Sequence, residues 1–146
     1  MSSQKIFLFD FDGVIVDGMD EYWHSSLLAC EKYLNSPYIS VDQKLYERVP
    51  NSFKEIRPWV KYGWEMILIV HEILKTENPF KNHNQDDFIN KYHQNCQKIL
   101  KYNSWIPENL QKILDKSREY QIDKDFETWV NLHNPFFEVM NFMEEL

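Results

Sequence analysis

The sequence has little of what several protein classes require. It contains three glycines among 146 residues and no repeated or low-complexity segment, which argues against a flexible linker or a solenoid. No apolar run approaches the roughly 20 residues that span a bilayer, since the longest is Met66 to Val70. Basic clusters are also missing and the net charge is −7, so a nucleic-acid surface is not expected.

Cysteine and histidine are sparse as well. Cys30 and Cys96 lie far apart on predicted apolar helix faces, and we expect them to be packed and reduced rather than bridged. The histidines lack the paired spacing of a zinc site, so structural or surface roles are expected for them. The amino terminus shows no signal peptide, because Asp10 and Asp12 interrupt the first apolar run at once, and a cytoplasmic protein is expected.

The most informative segment is Lys5–Asp17, in which an apolar run ends in two carboxylates. Ile6–Phe9 is short, rich in β-formers and without alternation, which predicts a strand covered on both faces, as in a parallel sheet. Asp10 and Asp12 share one face of an extended strand, and Gly13 allows a sharp turn after them. Close carboxylates repel each other unless a cation or a proton intervenes, which predicts a site for a hard cation such as Mg²⁺. A solvated, Asp-rich turn is the plainer alternative.

At these residues the chain resembles the haloacid dehalogenase (HAD) superfamily, whose first motif is an apolar strand followed by Asp-x-Asp-Gly-Val/Thr and a further Asp. The matching residues here are Asp10, Phe11, Asp12, Gly13, Val14 and Asp17. The resemblance implies an α/β, Rossmann-type parent fold, with Asp10 as the nucleophile that forms an aspartyl-phosphate and Asp12 as the general acid and base. It also implies Mg²⁺ bound by the Asp10 carboxylate and the Asp12 backbone carbonyl. An acid at position 12 favours phosphatases and phosphomutases over dehalogenases, because an alkoxide leaving group needs a proton.

The chain after Val16 is predicted to be mostly helical, from apolar residues spaced with a period of 3.6 and from helix start signals. One long helix is predicted from near Pro58 to about Lys75. Others are predicted to start at Asn84, at Pro107, at Asp123 or Asp125, and at Pro135. The apolar positions of these helices are Trp23, Leu27, Cys30 and Leu34; Val60, Trp64, Ile67, Leu68, His71 and Leu74; Phe88, Tyr92, Cys96 and Ile99; Leu110, Ile113 and Leu114; Phe126, Trp129 and Val130; and Val139, Phe142, Met143 and Leu146.

One β-strand followed by helices is an unusual complete domain, because the backbone groups of a lone strand stay unpaired. The resemblance implies instead a domain order in which residues 1–18 form the first strand and catalytic loop of the core. Residues 19–133 would form an α-helical cap inserted after the first motif, and residues 134–146 a helix that returns to the core. The strands that would carry the superfamily's Ser or Thr, its Lys and its second acidic pair are not found in this sequence, so the core is expected to be incomplete.

The segment Lys54–Met66 of the predicted cap puts Arg57 beside a predicted helix start. A cation there suits a phosphate or a carboxylate, so Arg57 is predicted to bind substrate. The alternative is that Arg57 pairs with a neighbouring acid while Trp59 and Trp64 pack in the core. Gly63 within a helix predicts close packing against another element or the mouth of a site.

Two functional hypotheses follow. In the first, the chain is the N-terminal part of a magnesium-dependent, HAD-like phosphate-ester hydrolase that acts on a small phosphorylated metabolite, with phosphomutase and phosphonate-cleaving enzymes as subordinate versions. The isolated chain would be inactive, because the transferred phosphoryl group would lack most of its electrostatic stabilisation. In the second, it is a catalytically silent helical module that binds a partner or forms a homo-oligomer through its unpaired strand. Neither a membrane nor a nucleic acid is an expected partner.

Overall fold

The computed structural model describes residues 6–80 and 85–146 as a mostly helical protein with one small antiparallel sheet. The elements are β1 (Val16–Asp17), α1 (Met19–Lys32), α2 (Asn51–Ile56), α3 (Gly63–Leu74), α4 (Gln85–Asn90), α5 (Tyr92–Asn103), α6 (Pro107–Lys124), α7 (Phe126–Val130), β2 (Asn134–Pro135) and α8 (Phe137–Glu144). Short 3-10 helices cover Gln43–Tyr46 and Arg57–Trp59. The predicted mostly helical character is confirmed. No helix within the described ranges is long and apolar enough to cross a membrane.

Helices α1, α3 and α6 pack against one another and enclose the core. Their apolar stripes meet there, with Trp23 and Leu27 of α1, Leu68 of α3 and Leu114 of α6 all fully buried. The Trp23 ring also packs edge-on against Phe53 of α2, with ring centroids 5.2 Å apart. Burying one side chain of this size contributes about 1.5–3 kcal/mol. The stripes predicted for α1, α3 and α6 therefore hold these helices together, whereas the stripes predicted for α7 and α8 are largely exposed.

Helix α3 is the most deeply buried element, but it starts later than predicted. Residues 65–74 are all buried, as expected for a helix that is apolar on nearly every side. Pro58 lies instead in the separate 3-10 helix, because proline suits the first turn of either helix type. Helix α3 begins at Gly63, where the Glu65 carboxylate accepts hydrogen bonds from the backbone N–H groups of Tyr62 (3.2 Å) and of the residue before it (2.7 Å).

Gly63 marks close packing between α3 and α6, which is one of the two roles predicted for it. A Cβ atom at this position would lie 3.0 Å from Gln111 Oε1 and 3.1 Å from Leu114 Cδ2. The same Gln111 oxygen accepts a hydrogen bond from the Trp64 N–H at 3.1 Å. A side chain at position 63 would therefore push the two helices apart.

The helix predicted to start at Asn84 is in fact two helices, α4 and α5, and Asn84 itself lies outside the described residues. Lys91 separates them with a non-helical backbone (φ −124°, ψ 33°). The Asn95 side-chain amide donates to the Phe88 carbonyl at 3.1 Å, which satisfies an acceptor freed where α4 ends. This side-chain contact is not visible in the apolar spacing, which is why the sequence predicted one continuous helix.

Three further predictions for the helical region are confirmed. Helix α6 begins at Pro107. Asp125, one of the two acids proposed to start the next helix, caps α7 by accepting a hydrogen bond from the Thr128 N–H at 3.0 Å. Cys30 and Cys96 are both buried free thiols.

The two terminal segments meet in the small sheet. Strands β1 and β2 pair antiparallel, with Val16 opposite Pro135 and Asp17 opposite Asn134. Helix α8 starts at Phe137, just after the proline that predicted it. The chain therefore enters and leaves its helical region at adjacent points.

The strand predicted over Ile6–Phe9 is not formed. These residues have no regular secondary structure, and the side chains of Ile6, Phe7 and Leu8 are 81%, 50% and 94% exposed. A strand needs a hydrogen-bonded neighbour, and the one sheet of the described chain pairs only β1 with β2. The strand prediction was wrong because it relied on local composition, whereas the pairing of strands depends on segments distant in the sequence. Within residues 6–80 and 85–146 there is likewise no parallel sheet of the kind that an α/β parent fold contains.

Candidate functional site

The motif residues form a tight loop between the amino-terminal segment and β1. Gly13 has φ +76°, in the left-handed region that glycine adopts without strain. Its N–H donates to the Val16 carbonyl at 2.8 Å, and the N–H groups of Ile15 and Val16 donate to the Phe11 carbonyl at 2.9 and 3.1 Å. The sharp turn predicted after the two acids is therefore confirmed, with Gly13 within it.

Asp10 and Asp12 both lie exposed on this loop, where solvent reaches them. Asp10 Oδ1 accepts a hydrogen bond from the Phe11 N–H at 2.8 Å, which leaves its second oxygen available. Among the residues described, no group of three or more His, Cys, Asp and Glu side chains comes together. Mg²⁺ usually takes one or two protein carboxylates and completes its octahedron with water and phosphate oxygens. The oxygen donors of Asp10 and Asp12 are thus of the right chemistry for Mg²⁺.

Tyr22 lies between the motif loop and Arg57. It lies buried in the first turns of α1. Burial raises the pKa of its hydroxyl, the negative charge of Asp12 raises it further, and the Arg57 cation acts in the opposite direction. The pKa of this hydroxyl therefore responds to the charges of both the predicted catalytic carboxylate and the predicted substrate-binding cation.

Arg57 stacks on Tyr22 instead of pairing with an acid. Its guanidinium carbon lies 4.2 Å from the centroid of the Tyr22 ring, a cation–π contact. In the part of the chain that is described, no carboxylate forms an ion pair with Arg57, and its buried Nε has no hydrogen-bond partner. Arg57 opens the 3-10 helix, so its predicted position at the start of the long helix is wrong. Trp59 is exposed, whereas Trp64 is partly buried against the core. Of the alternative in which both tryptophans pack in the core and Arg57 pairs with an acid, only the packing of Trp64 is confirmed.

Gly18 makes room for this arrangement. A Cβ atom at Gly18 would lie 2.7 Å from Cζ and 2.9 Å from the hydroxyl oxygen of Tyr22. A side chain there would displace the ring on which Arg57 stacks. Sequence reasoning singled out neither Gly18 nor Tyr22 as functional. Tyr22 lies beside Trp23 and off the apolar stripe predicted for α1, yet its side chain is part of the buried core, so the stripe alone could not single it out.

A second arginine lies close enough to respond to the charge of Asp12. Arg118 of α6 makes two hydrogen bonds to Glu21 of α1, from Nε to Oε1 at 2.7 Å and from Nη2 to Oε2 at 2.9 Å. Burial alone would lower the pKa of Arg118, but Glu21 above all, and also Asp115 and Asp12, outweigh it and raise that pKa. Glu21 neutralises Arg118, whereas Arg57 has no such partner among the described acids. Arg57 is therefore the cation available to a ligand beside the loop.

Comparisons with known proteins identified no relative of this chain. No family model, curated protein or solved structure matches the chain. The resemblance to the HAD superfamily is therefore carried by residues 5–17. The geometry that bears on function is the group formed by Asp12, Tyr22 and Arg57.

Proposed function

We propose that this chain supplies the nucleophile, the acid–base residue and the helical cap of a magnesium-dependent, HAD-like phosphatase with an α/β parent fold. Its substrate is a small phosphorylated metabolite. An Asp10 oxygen attacks phosphorus, and the P–O bond to the substrate breaks as Asp12 gives the leaving alkoxide a proton. Asp12 then takes a proton from the water that hydrolyses the aspartyl-phosphate, which releases phosphate and restores Asp10.

The pairing of β1 with β2 supports a cap inserted after the first motif. A domain inserted into a loop of another domain is entered and left through two connections that lie side by side. Here Asp17 and Asn134 face each other across the antiparallel pair, one before and one after the helical region. The division into a core segment 1–18, a cap 19–133 and a returning segment 134–146 is part of the proposal.

The group formed by Asp12, Tyr22 and Arg57 is the observation that carries the proposal. The Tyr22 ring supports the Arg57 guanidinium at 4.2 Å, and the charge of Asp12 raises the pKa of the Tyr22 hydroxyl. A guanidinium held by stacking, without a carboxylate partner among the described residues, keeps its charge and its donors for an anionic ligand. Arg57 would bind the phosphate or a carboxylate of the substrate next to the catalytic loop.

Two further parts of the proposal concern the metal and the core. Mg²⁺ would be held by the Asp10 carboxylate and the Asp12 backbone carbonyl, and when bound it offsets the negative charge of the phosphate and of Asp10.

The exposed apolar side chains of residues 6–8 support a first strand that forms when a parallel neighbour is present. The Ser or Thr, the Lys and the second acidic pair that stabilise the phosphoryl group would come from residues outside these 146.

Hydrolysis of p-nitrophenyl phosphate with and without Mg²⁺ tests the proposal. We expect no turnover from the 146-residue chain. We expect Mg²⁺-dependent turnover from the product of the complete reading frame, and its loss in Asp10→Asn, because the nucleophile is removed. Magnesium-dependent turnover that persists in Asp10→Asn, or a reading frame that ends at Leu146, would contradict the enzyme hypothesis.

The role of Arg57 has its own test in the same active protein. Arg57→Ala should raise KM more than it lowers kcat, because the guanidinium binds the substrate in the ground state as well as in the transition state. Lys54→Ala, which removes an exposed cation nearby in the sequence, is the control and should change neither constant. Unchanged kinetics in Arg57→Ala would remove its substrate role.

A second candidate function is that of a silent helical module that binds a partner or self-associates. The observation that favours it is an exposed apolar surface formed by Ile6, Phe7, Leu8, Phe137 and Phe142, called here the terminal apolar surface. The two ends of the chain touch within it, since the rings of Phe9 and Phe142 have centroids 6.3 Å apart. Exposed apolar side chains that lie together mark interaction sites, and the Phe9–Phe142 contact brings the two ends of the chain together.

A further inference from the structure

A second group of reactive side chains lies near the C-terminal end of α3. Ser36 Oγ is 2.9 Å from His71 Nε2, and His71 Nδ1 is 3.2 Å from Glu72 Oε1. His71 is fully buried, Glu72 is buried and Ser36 is partly exposed. A hydroxyl, an imidazole and a carboxylate joined in this order form the arrangement that activates serine nucleophiles.

The carboxylate sets the tautomer of the imidazole. Burial alone would raise the pKa of Glu72, but the hydrogen bonds from His71 and Lys75 outweigh it and lower that pKa. Lys75 Nζ lies 2.5 Å from the same Oε1 atom. An ionised carboxylate can only accept hydrogen bonds, so His71 Nδ1 carries the proton. In its neutral form, with the proton on Nδ1, the imidazole presents the lone pair of Nε2 to the Ser36 hydroxyl 2.9 Å away.

The His71 ring is packed against an aromatic ring, whereas Ser36 lines an open cleft. The His71 ring meets the Trp105 ring edge-on, with centroids 4.8 Å apart and planes at 81°. Ser36 Oγ also accepts a hydrogen bond from the Tyr38 N–H at 3.4 Å. Ser36 lines an open cleft of about 370 Å³ together with Ile39. His71 is not among the residues that line this cleft, so a ligand bound in it would contact Ser36 rather than the imidazole.

We propose that Ser36 is an activated nucleophile, with His71 as its general base, and that activated acyl or phosphonyl esters modify it covalently. Ser36 Oγ attacks the carbonyl carbon or the phosphorus and forms a new bond to it. The hydroxyl proton passes to His71 Nε2, the bond to the leaving group breaks, and the leaving group departs with the electron pair. Glu72 stabilises the imidazolium that forms. The site is independent of the proposed phosphatase chemistry.

Labelling of the 146-residue chain with a fluorophosphonate–biotin probe tests the proposal. We expect one phosphonyl adduct at Ser36, with loss of fluoride, located by peptide mass spectrometry. Ser36→Ala should abolish the adduct, and Ser40→Ala, which removes an exposed serine close by in the sequence, should leave it unchanged. A chain with the far-UV circular dichroism of a folded helical protein that takes no label, or a label that persists in Ser36→Ala, overturns the proposal.

Two variants separate an activated serine from one that is only exposed. A general base contributes about 100-fold to 10,000-fold to the rate, so His71→Gln should slow labelling by at least about 100-fold. Glu72→Gln removes the charge that stabilises the imidazolium and should slow labelling by up to about 10,000-fold, the loss known for an acid-to-amide change in such a triad. Labelling at the wild-type rate in either folded variant overturns the role of the base. If His71→Gln does not fold, the Glu72→Gln rate decides.

Discussion

The helical core and the terminal segments use apolar side chains in opposite ways. Leu68, in the centre of α3, has 0% of its surface exposed, whereas Leu8, in the amino-terminal segment, is 94% exposed. A helix satisfies its own backbone hydrogen bonds, so its apolar stripe is free to pack on another stripe of the same chain. An extended segment needs a partner strand before its side chains can be buried. The same apolar composition therefore gives a core in one region and an exposed apolar segment in the other.

The largest effect on stability is expected when the buried leucine of this comparison is truncated and the exposed one serves as its control. Leu68→Ala should lower the free energy of unfolding by about 2–5 kcal/mol, because it leaves a cavity in the core. At protein concentrations where the chain is monomeric, Leu8→Ala should change that free energy by less than about 0.5 kcal/mol, because the side chain is then in water. Urea denaturation followed by far-UV circular dichroism measures both variants. Similar losses in the two would show that residue 8 is buried in solution.

A smaller effect is expected from the polar contact inside the core. Arg118→Met leaves Glu21 buried without its cation and should cost about 3 kcal/mol in the free energy of unfolding. Adding Glu21→Gln should restore most of this loss, because no charge is then left unpaired. Lys112→Met, at an exposed position of the same helix, is the control and should be neutral within about 0.5 kcal/mol. A neutral Arg118→Met would mean that the contact does not join α1 to α6 in solution.

The smallest change in stability is expected on the terminal apolar surface, where the oligomeric state should respond instead. We expect the wild-type chain to self-associate, and Leu8→Lys with Phe137→Lys to make it monomeric with less than about 0.5 kcal/mol lost in folding. Tyr102→Lys, at an exposed aromatic residue outside this surface, should leave the oligomeric state unchanged. Sedimentation velocity measures the outcome. A monodisperse wild-type monomer would count against self-association.

The parts of the fold that could be predicted from the sequence are those with a local cause. The stripe of Trp23, Leu27, Cys30 and Leu34 is buried as predicted, because a period of 3.6 is a property of one segment. The start of α3 could not be predicted in the same way, since Pro58 is a valid start signal that a 3-10 helix uses instead. The decisive contact is the Glu65 carboxylate on backbone N–H groups, which competes with that signal.

The candidate sites also differ in whether their cause is local in the sequence or depends on the packing of distant segments. The loop at Gly13 follows from residues next to one another in the sequence, and the sequence predicted it. The stacking of Arg57 on Tyr22 and the hydrogen bond between Ser36 and His71 join different elements, so neither is visible before the helices are packed. Packing brings such pairs together through contacts that no local pattern records.

The antiparallel pairing of β1 with β2 brings the two ends of the helical region close together. Facing residues of such a pair have Cα atoms about 4.5–5.5 Å apart, and here the facing pair is Asp17 and Asn134. A tight hairpin spans that gap with about two residues. Because these ends lie side by side, we expect residues 18–133 to tolerate circular permutation through a short linker that joins them.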